Sequence, residues 1–279
     1  MMTCITLENA IRELEKDIYR NADMLDMLYH YLENKSDYIN TMKCYYIDNC
    51  LVIFIPYSDE DNYTILPNSE YINISLLTQH IISQCEDKKV KISFDLSKTD
   101  EMNCNRCLLY LDKKLKKVKS IYGYVKVDSR SVAILNEPNI VHLGVKDKDF
   151  VMNFSHGAES FEFRPPFVRL YEIYVTKNQG KILGVYDKNR LVAYLSYFNM
   201  FSSLYDVDFI YVTPEYRGKG LGYKLAMYYS EYVIHNGGIP YWSNARNTSS
   251  INVALRSGFN ICRKLYIYTF GKARIHNDS

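Results

Sequence analysis

The chain has 279 residues, 47% of them apolar or aromatic, enough to bury a substantial core in one or two domains. Its 34 basic residues face 32 acidic ones, a net charge of +2 that argues against a nucleic-acid binder working through bulk charge, and no apolar stretch approaches the roughly eighteen residues of a spanning helix. Seven cysteines with no secretory leader fit a reducing compartment, so a cytoplasmic protein is expected.

In chain order, Met1–Asn40 reads as helix-rich. Leu7, Ile11, Leu14 and Ile18, then Met24, Leu25, Leu28, Tyr31 and Leu32, recur at helical spacing, with a break around Asn21. Cys50–Pro56 reads as a strand ended by proline. The pattern then predicts a helix over Ser75–Cys85, a strand over Lys89–Phe94, a helix over Asn103–Lys117, and strands at Tyr122–Val127 and Ser131–Leu135. Glu137-Pro138-Asn139 is a reasonable boundary, which divides the chain into residues 1–137 and 138–279.

Beyond it, Phe167–Thr176 reads as a helix, and Lys181–Tyr186 and Leu191–Phe198 as a hairpin turning at Asp187-Lys188-Asn189-Arg190. Leu204–Val212 reads as a strand that sets Asp206 and Asp208 on one face. Leu221, Leu225, Tyr228, Tyr229 and Tyr232 mark a helix stopped by Gly237-Gly238. Ile239–Trp242 is the next strand and Leu265–Phe270 the last.

The connection between the Leu204–Val212 strand and its following helix is the most informative segment. Gly218, Gly220 and Gly222 leave little side chain over the turn, and the amides at a helix start point outward unpaired, so the turn suits a phosphate or pyrophosphate. Arg217 and Lys219 add positive charge. A P-loop needs a Lys-Ser or Lys-Thr after its glycines, and none is present; a dinucleotide fingerprint needs G-x-G-x-x-G, and Gly218-Lys219-Gly220-Leu221-Gly222 falls one residue short.

Arg217-x-x-Gly220-x-Gly222 resembles instead the (Gln/Arg)-x-x-Gly-x-(Gly/Ala) signature of the GCN5-related N-acetyltransferases, the GNAT superfamily. Downstream, Asn247-Thr248-Ser249-Ser250-Ile251-Asn252-Val253-Ala254-Leu255-Arg256-Ser257-Gly258-Phe259 is similar to that family's asparagine-started helix ending in Gly-Phe. The resemblance covers roughly Asn139–Phe270, and the wording around Trp242 to Ser250 looks like a bacterial branch. It implies an α/β fold with a mixed central sheet of the acyl-CoA N-acyltransferase type in the carboxy-terminal domain, behind a smaller α/β amino-terminal domain. The implied reaction is direct acetyl transfer from acetyl-CoA, as co-substrate and without a metal, to a primary amine of a small molecule.

By the same resemblance the coenzyme would lie against Tyr211, Val212, Thr213, Arg217, Gly218, Lys219, Gly220, Leu221 and Gly222, with a backbone amide near Val212 meeting the acetyl carbonyl. Asn247 would hold the pantetheine arm with help from Ser250; both would equally suit a helix start, with Asn247 as N-cap. The sequence departs from the family at Ala254, where many members carry the tyrosine that protonates the leaving sulfur. A thiol, with a pKa of about 8.5, is a tolerable leaving group without it; otherwise Tyr241, Tyr216 or a water must serve. Asp206 and Asp208 are the candidate bases, or orient a cationic substrate, or lie on a solvated face, and Glu172 is an outside candidate. Of the many nearby aromatic residues most belong to the core, while a few would suit an aromatic or cationic amine.

The amino-terminal elements repeat the coarse order of the carboxy-terminal half, so this region reads as a degenerate copy of the same fold. Its connection Tyr57–Ser69 has no glycine, so the copy would bind no coenzyme and would instead cover a surface, shape the acceptor cleft or form a homodimer. Cys104-x-x-Cys107 lacks partner ligands and reads as ordinary thiols; no H-E-x-x-H set is present, and His156 and His235 stand alone. The Lys113-Lys114-x-Lys116-Lys117-x-Lys119 patch reads as a solvated helix face, leaving nucleic-acid binding as the third reading, behind an active transferase and a catalytically weakened acyl-CoA sensor.

Overall fold

A computed structural model describes residues 2–33, 42–47, 50–56, 60–67, 89–95, 116–126, 139–152, 154, 167–245 and 247–270. The chain divides into two compact units, Met1–Tyr122 with Cys262–Ser279, and Gly123–Ile261.

In the first unit, strand β1 (Met2–Ile5) leads into helix α1 (Leu7–Glu15), started by Thr6, whose side chain accepts the Asn9 N–H. The helix buries Ala10, Ile11 and Leu14 along one face, and α2 (Ile18–Glu33) buries Ala22, Leu25 and Leu28. Strands β2 (Lys43–Ile47), β3 (Cys50–Pro56) and β4 (Glu60–Pro67) form an antiparallel meander, with β1 antiparallel to β2. Leu51, Val52, Ile53, Phe54 and Ile55 of β3 are all buried, as a strand covered on both faces requires. Strand β5 (Lys89–Asp95) runs parallel to β4 and pairs antiparallel with Leu265–Phe270 of β12 (Asn260–Phe270), the last of the described strands. Arg263 of β12, itself buried, forms an ion pair with Asp23 of α2.

Three readings of this half need correction. Met2–Ile5 is a strand, not part of the helical run; four residues are too few to show a period. Tyr57–Ser69 is not merely a connection, since it contains β4, whose Glu60, Asp61, Asn62 and Pro67 disguised it. The helix expected to reach Lys117 does not, because β6 spans Lys116–Val125 and takes in Lys116, Lys117 and Lys119. The elements expected at Ser75–Cys85 and Ser131–Leu135, the bulk of Asn103–Lys117, Cys104, Cys107 and His156 lie outside the described residues.

The second unit opens with β7 (Ile140–His142), a 3-10 turn (Val145–Asp147) and short helices α3 (Lys148–Met152) and α4 (Phe167–Tyr171), the latter passing directly into a π-helical turn (Glu172–Thr176). Then come β8 (Lys181–Asp187), β9 (Arg190–Phe201), β10 (Leu204–Val212), helix α5 (Leu221–His235), β11 (Ile239–Ala245) and α6 (Thr248–Arg256). Strands β7 to β10 are successively antiparallel, whereas β11 lies parallel to β10 because α5 returns the chain to the same end. The fold is therefore α/β with a mixed sheet, as the sequence led us to expect.

On one face, α4 packs Phe167, Leu170 and Tyr171 against Ile182, Leu191, Tyr194 and Tyr211, with the Phe167 and Tyr194 rings stacked at 4.1 Å. Tyr197, three residues beyond Tyr194 and so on the opposite face, meets the Tyr229 ring of α5 at 4.9 Å. Its hydroxyl bonds His142 Nε2 at 2.8 Å, and burial, with Lys181 adding to it, lowers the His142 pKa to about 4. Among the described residues no helix is long and apolar enough to cross a membrane.

Candidate functional site

The site is built on a fork between two parallel strands. β10 and β11 pair at Leu204 with Ile239, Tyr205 with Pro240 and Asp206 with Tyr241; beyond that point each strand runs on, to Val212 and to Ala245, without pairing the other. Two buried side chains occupy the backbone groups at the branch point. Asp206 accepts from the Ser243 N–H at 2.8 Å and the Ser243 hydroxyl at 2.6 Å, one bond to each carboxylate oxygen. The fully buried Tyr229 hydroxyl donates to the Tyr205 carbonyl and accepts from the Tyr241 N–H at 3.2 Å. A carboxylate with hydrogen bonds at both oxygens, 3% exposed, is a clamp that ties β11 to β10 just beyond their last paired residues.

The glycine turn closes the outer end of β10. Pro214–Tyr216 forms a 3-10 turn, after which Gly218 and Gly220 adopt φ +77° and +79°, the left-handed region that suits glycine. A Cβ at either position would meet nothing within 4 Å, so the space above the turn is open. Helix α5 starts at Leu221, and the bond from the Lys224 N–H to the Gly220 carbonyl is its first closed turn, so the amides of Leu221, Gly222 and Tyr223 lie ahead of it. Gly222 packs close to Val253, Ile210 and Val212. Arg217 donates through Nε to the Val212 carbonyl at 3.2 Å and lies over the Tyr211 ring, while Lys219 Nζ sits 4.4 Å from the Tyr216 ring centroid. Thr213, 2% exposed, has an Oγ1 with no hydrogen-bond partner among the described residues. Outward amides, clustered positive charge, an orphaned hydroxyl and an open strand pair together fit an elongated ligand carrying a pyrophosphate.

Asn247 and Ser250 stand as a reciprocal cap on α6. Asn247 Oδ1 accepts the Ser250 N–H at 2.8 Å and Ser250 Oγ lies 3.3 Å from the Asn247 N–H, which accounts for both residue types locally. Ala254 is completely buried and brings no hydroxyl. Tyr241 is likewise 0% exposed, with its ring in the core, and Tyr216 donates to Asp187 at 2.5 Å, a bond that raises its pKa. Glu172 opens the π-helical turn.

The two aspartates, expected together, have different surroundings. The β9 register skips a residue between Val207 and Phe209, so Asp208 is the extra residue of a β-bulge, and the freed Phe209 N–H is taken by Ser196 Oγ at 3.2 Å. Asp208 is exposed while Asp206 is buried. From the π-helical turn, Tyr174 donates its hydroxyl to Asp208 Oδ2 at 2.7 Å. Burial first, then the charge of Asp208, pushes the Tyr174 pKa well above its usual range, so it remains a donor. Ser243, Tyr229 and Tyr174 were invisible to sequence reasoning, because each acts on a backbone or side chain far along the chain. Phe167–Thr176 showed only a helical period.

Among the described residues no cluster of three or more His, Cys, Asp or Glu side chains could hold a metal ion. Residues 149–259 match the model of the Acetyltransferase (GNAT) family. Among curated proteins none matches the chain. Several solved structures share the fold along nearly the whole length. A GCN5-related N-acetyltransferase from Sphaerobacter thermophilus aligns with a TM-score of 0.57 at 10% identity, covering 96% of this chain and 94% of that one. A GNAT-family acetyltransferase from Colwellia psychrerythraea aligns with a TM-score of 0.53 at 17% identity, covering 97% and 98%. A tandem GNAT protein from the clavulanic acid biosynthesis pathway aligns with a TM-score of 0.50 at 12% identity, covering 98% and 99%.

Proposed function

We propose that this chain, a GNAT-superfamily fold with a further amino-terminal unit, moves the acetyl group of acetyl-CoA directly to a primary amine of a small molecule. The observation that carries the reading is the fork: a parallel strand pair that opens beyond Asp206 and leads to a glycine turn at the start of α5. Acetyl-CoA would supply an activated acyl thioester. The amides of Leu221 and Gly222, the turn Gly218–Gly220, Arg217 and Lys219 would bind its pyrophosphate; Tyr211, Val212 and Thr213 on one arm of the fork, and Asn247 with Ser250 beyond the other, would border its pantetheine arm. A backbone amide near Val212 would stabilise negative charge on the acetyl oxygen.

Asp208, exposed at the bulge, is our candidate to receive the acceptor ammonium and take its proton, directly or through water, before the nitrogen attacks. The nitrogen then adds to the thioester carbonyl, and the tetrahedral oxyanion collapses with C–S cleavage, so that coenzyme A departs as thiolate and takes the second nitrogen proton through water. Asp206, although on the same strand, is assigned to tying β11 to β10 at the fork. With Ala254 in place of the usual tyrosine and Tyr241 fully buried, thiolate departure proceeds without a side-chain acid.

We take residues 1–137 and 138–279 as two sequence repeats, the first a degenerate copy that holds no coenzyme. The succession strand, helices, three antiparallel strands, then a strand parallel to the third is common to both halves, and a tandem protein aligns over the whole length. The second reading, an acyl-CoA sensor, is favoured by Ala254. An amine panel assayed by free-thiol release decides between them: turnover of one small amine supports the enzyme, and tight acetyl-CoA binding with no turnover of any amine supports the sensor.

A further inference from the structure

Two irregularities of backbone meet at one hydrogen bond in the second unit. The first is the π-helical turn Glu172–Thr176, which ends with the Lys177 N–H bonded to the Glu172 carbonyl at 2.9 Å and the Gln179 N–H to the Ile173 carbonyl at 3.2 Å. An added residue in a helical turn rotates the side chains after it about the helix axis, and such turns gather at functional sites. The second is the bulge that turns Asp208 out of the alternation of β10. The bond from Tyr174 Oη to Asp208 Oδ2, at 2.7 Å, joins them.

Tyr174 is held to this position. Its ring is 8% exposed, and a Cβ on Gly180 would lie 2.9 Å from its Cγ and 2.8 Å from the Tyr197 carbonyl, so only glycine at 180 leaves room for the ring. The charges that bear on its hydroxyl are Asp208 and, more weakly, Asp206. Phe198 stands 6.2 Å away, ring to ring.

We infer that Tyr174 is a positioning residue for the transfer reaction: by donating to Oδ2 it fixes the rotamer of the exposed Asp208 carboxylate and directs it toward the acceptor's ammonium group, with Gly180 clearing the space that keeps the tyrosine in place. The inference rests on the transferase reading and on Asp208 as the group that meets the amine. A donor fixed on a carboxylate also favours its charged form over the neutral one.

The test uses the full chain. Carboxyl-labelled aspartate followed by 13C NMR, with Asp208→Asn to assign the signal, needs no turnover: Tyr174→Phe should move the Asp208 titration midpoint up by about one pH unit, as expected for loss of one hydrogen bond to the charged form. An unmoved midpoint overturns the inference. With whichever amine of the panel turns over best, Tyr174→Phe should lower kcat/KM for the amine about tenfold, move the acidic limb of the pH profile up with the NMR midpoint, and leave acetyl-CoA affinity unchanged. Gly180→Ala should reproduce that loss. A profile superimposable on wild type, or a parallel fall in acetyl-CoA affinity, reduces Tyr174 to a packing residue. A moved midpoint in a protein that acetylates no amine would uphold the Tyr174–Asp208 coupling, remove its catalytic purpose, and sink the transferase reading separately.

Discussion

A parallel strand pair occurs in each unit, and the two pairs differ in how they run. In the second, the parallel pair β10 and β11 is joined for three residue pairs and then opens; in the first, β4 and β5 are joined continuously from Glu60 with Lys89 to Ile65 with Phe94. At the branch point of the open pair stand two side chains, Asp206 on Ser243 and Tyr229 on Tyr205 and Tyr241. The closed pair uses those groups in its own ladder, so an acyl arm would have to break backbone hydrogen bonds to enter. On the proposed reading, a mixed sheet becomes a ligand site or a scaffold according to a few residues at one branch point.

The largest effect should come from the turn that the open pair serves. Calorimetry should find one acetyl-CoA bound per chain, and Gly220→Val should weaken it at least about a hundredfold, near 3 kcal/mol, because a branched residue cannot hold φ +79°. Circular dichroism should be unchanged. Two molecules per chain would contradict the closed state of the first unit, and an unaltered affinity would remove the turn from the site.

Breaking the clamp comes next. Asp206→Ala removes both charge-assisted hydrogen bonds to Ser243 and should cost about 3 kcal/mol in urea unfolding, with Asp206→Asn costing roughly half of that because its amide oxygen can still accept one bond. Asn at 206 should leave the pH limb of turnover in place, whereas Asn at 208 should abolish it. The reverse would make Asp206 the base and void the clamp. Tyr229→Phe removes the hydroxyl bonded to the Tyr205 carbonyl and the Tyr241 N–H in the core and should cost about 1–2 kcal/mol.

The smallest effect is a pH dependence. His142 accepts protons near pH 4 when folded and near its ordinary 6.5 when unfolded, so its neutral ring contributes fully above pH 6.5, and that contribution is lost as the pH falls toward 4. Partial solvent access tempers it. Between those two pH values the wild-type melting temperature should fall by about 4 °C more than that of His142→Gln. Equal falls would mean that the ring is solvated.

What could be read in the sequence was local and punctuated. Leu204–Val212, the glycine turn and the Asn247-capped helix were legible because alternation, left-handed glycines and a cap are written in consecutive residues. Strand β4 was hidden because Glu60, Asp61 and Asn62 owe their place to pairing with β3 and β5 rather than to their own propensity. The division of labour between Asp206 and Asp208 was equally hidden: two residues of one type, two positions apart, differ because a bulge lies between them and Ser243 lies 37 residues beyond the first. A period of 3.6 also cannot announce a π turn, and with it the approach of Tyr174 was lost.

The last strand gives the chain a dependence on the order in which it is made. β5 closes its outer edge with Leu265–Phe270, so Val90 must wait for Phe270 before the first unit has its full complement of strands. On the ribosome β5 therefore emerges with an unpaired edge, and Asp23 acquires Arg263 as its partner only after the intervening second unit has been synthesised. Premature termination just short of β12 would thus damage the first unit, although β1 to β5 would all have been made.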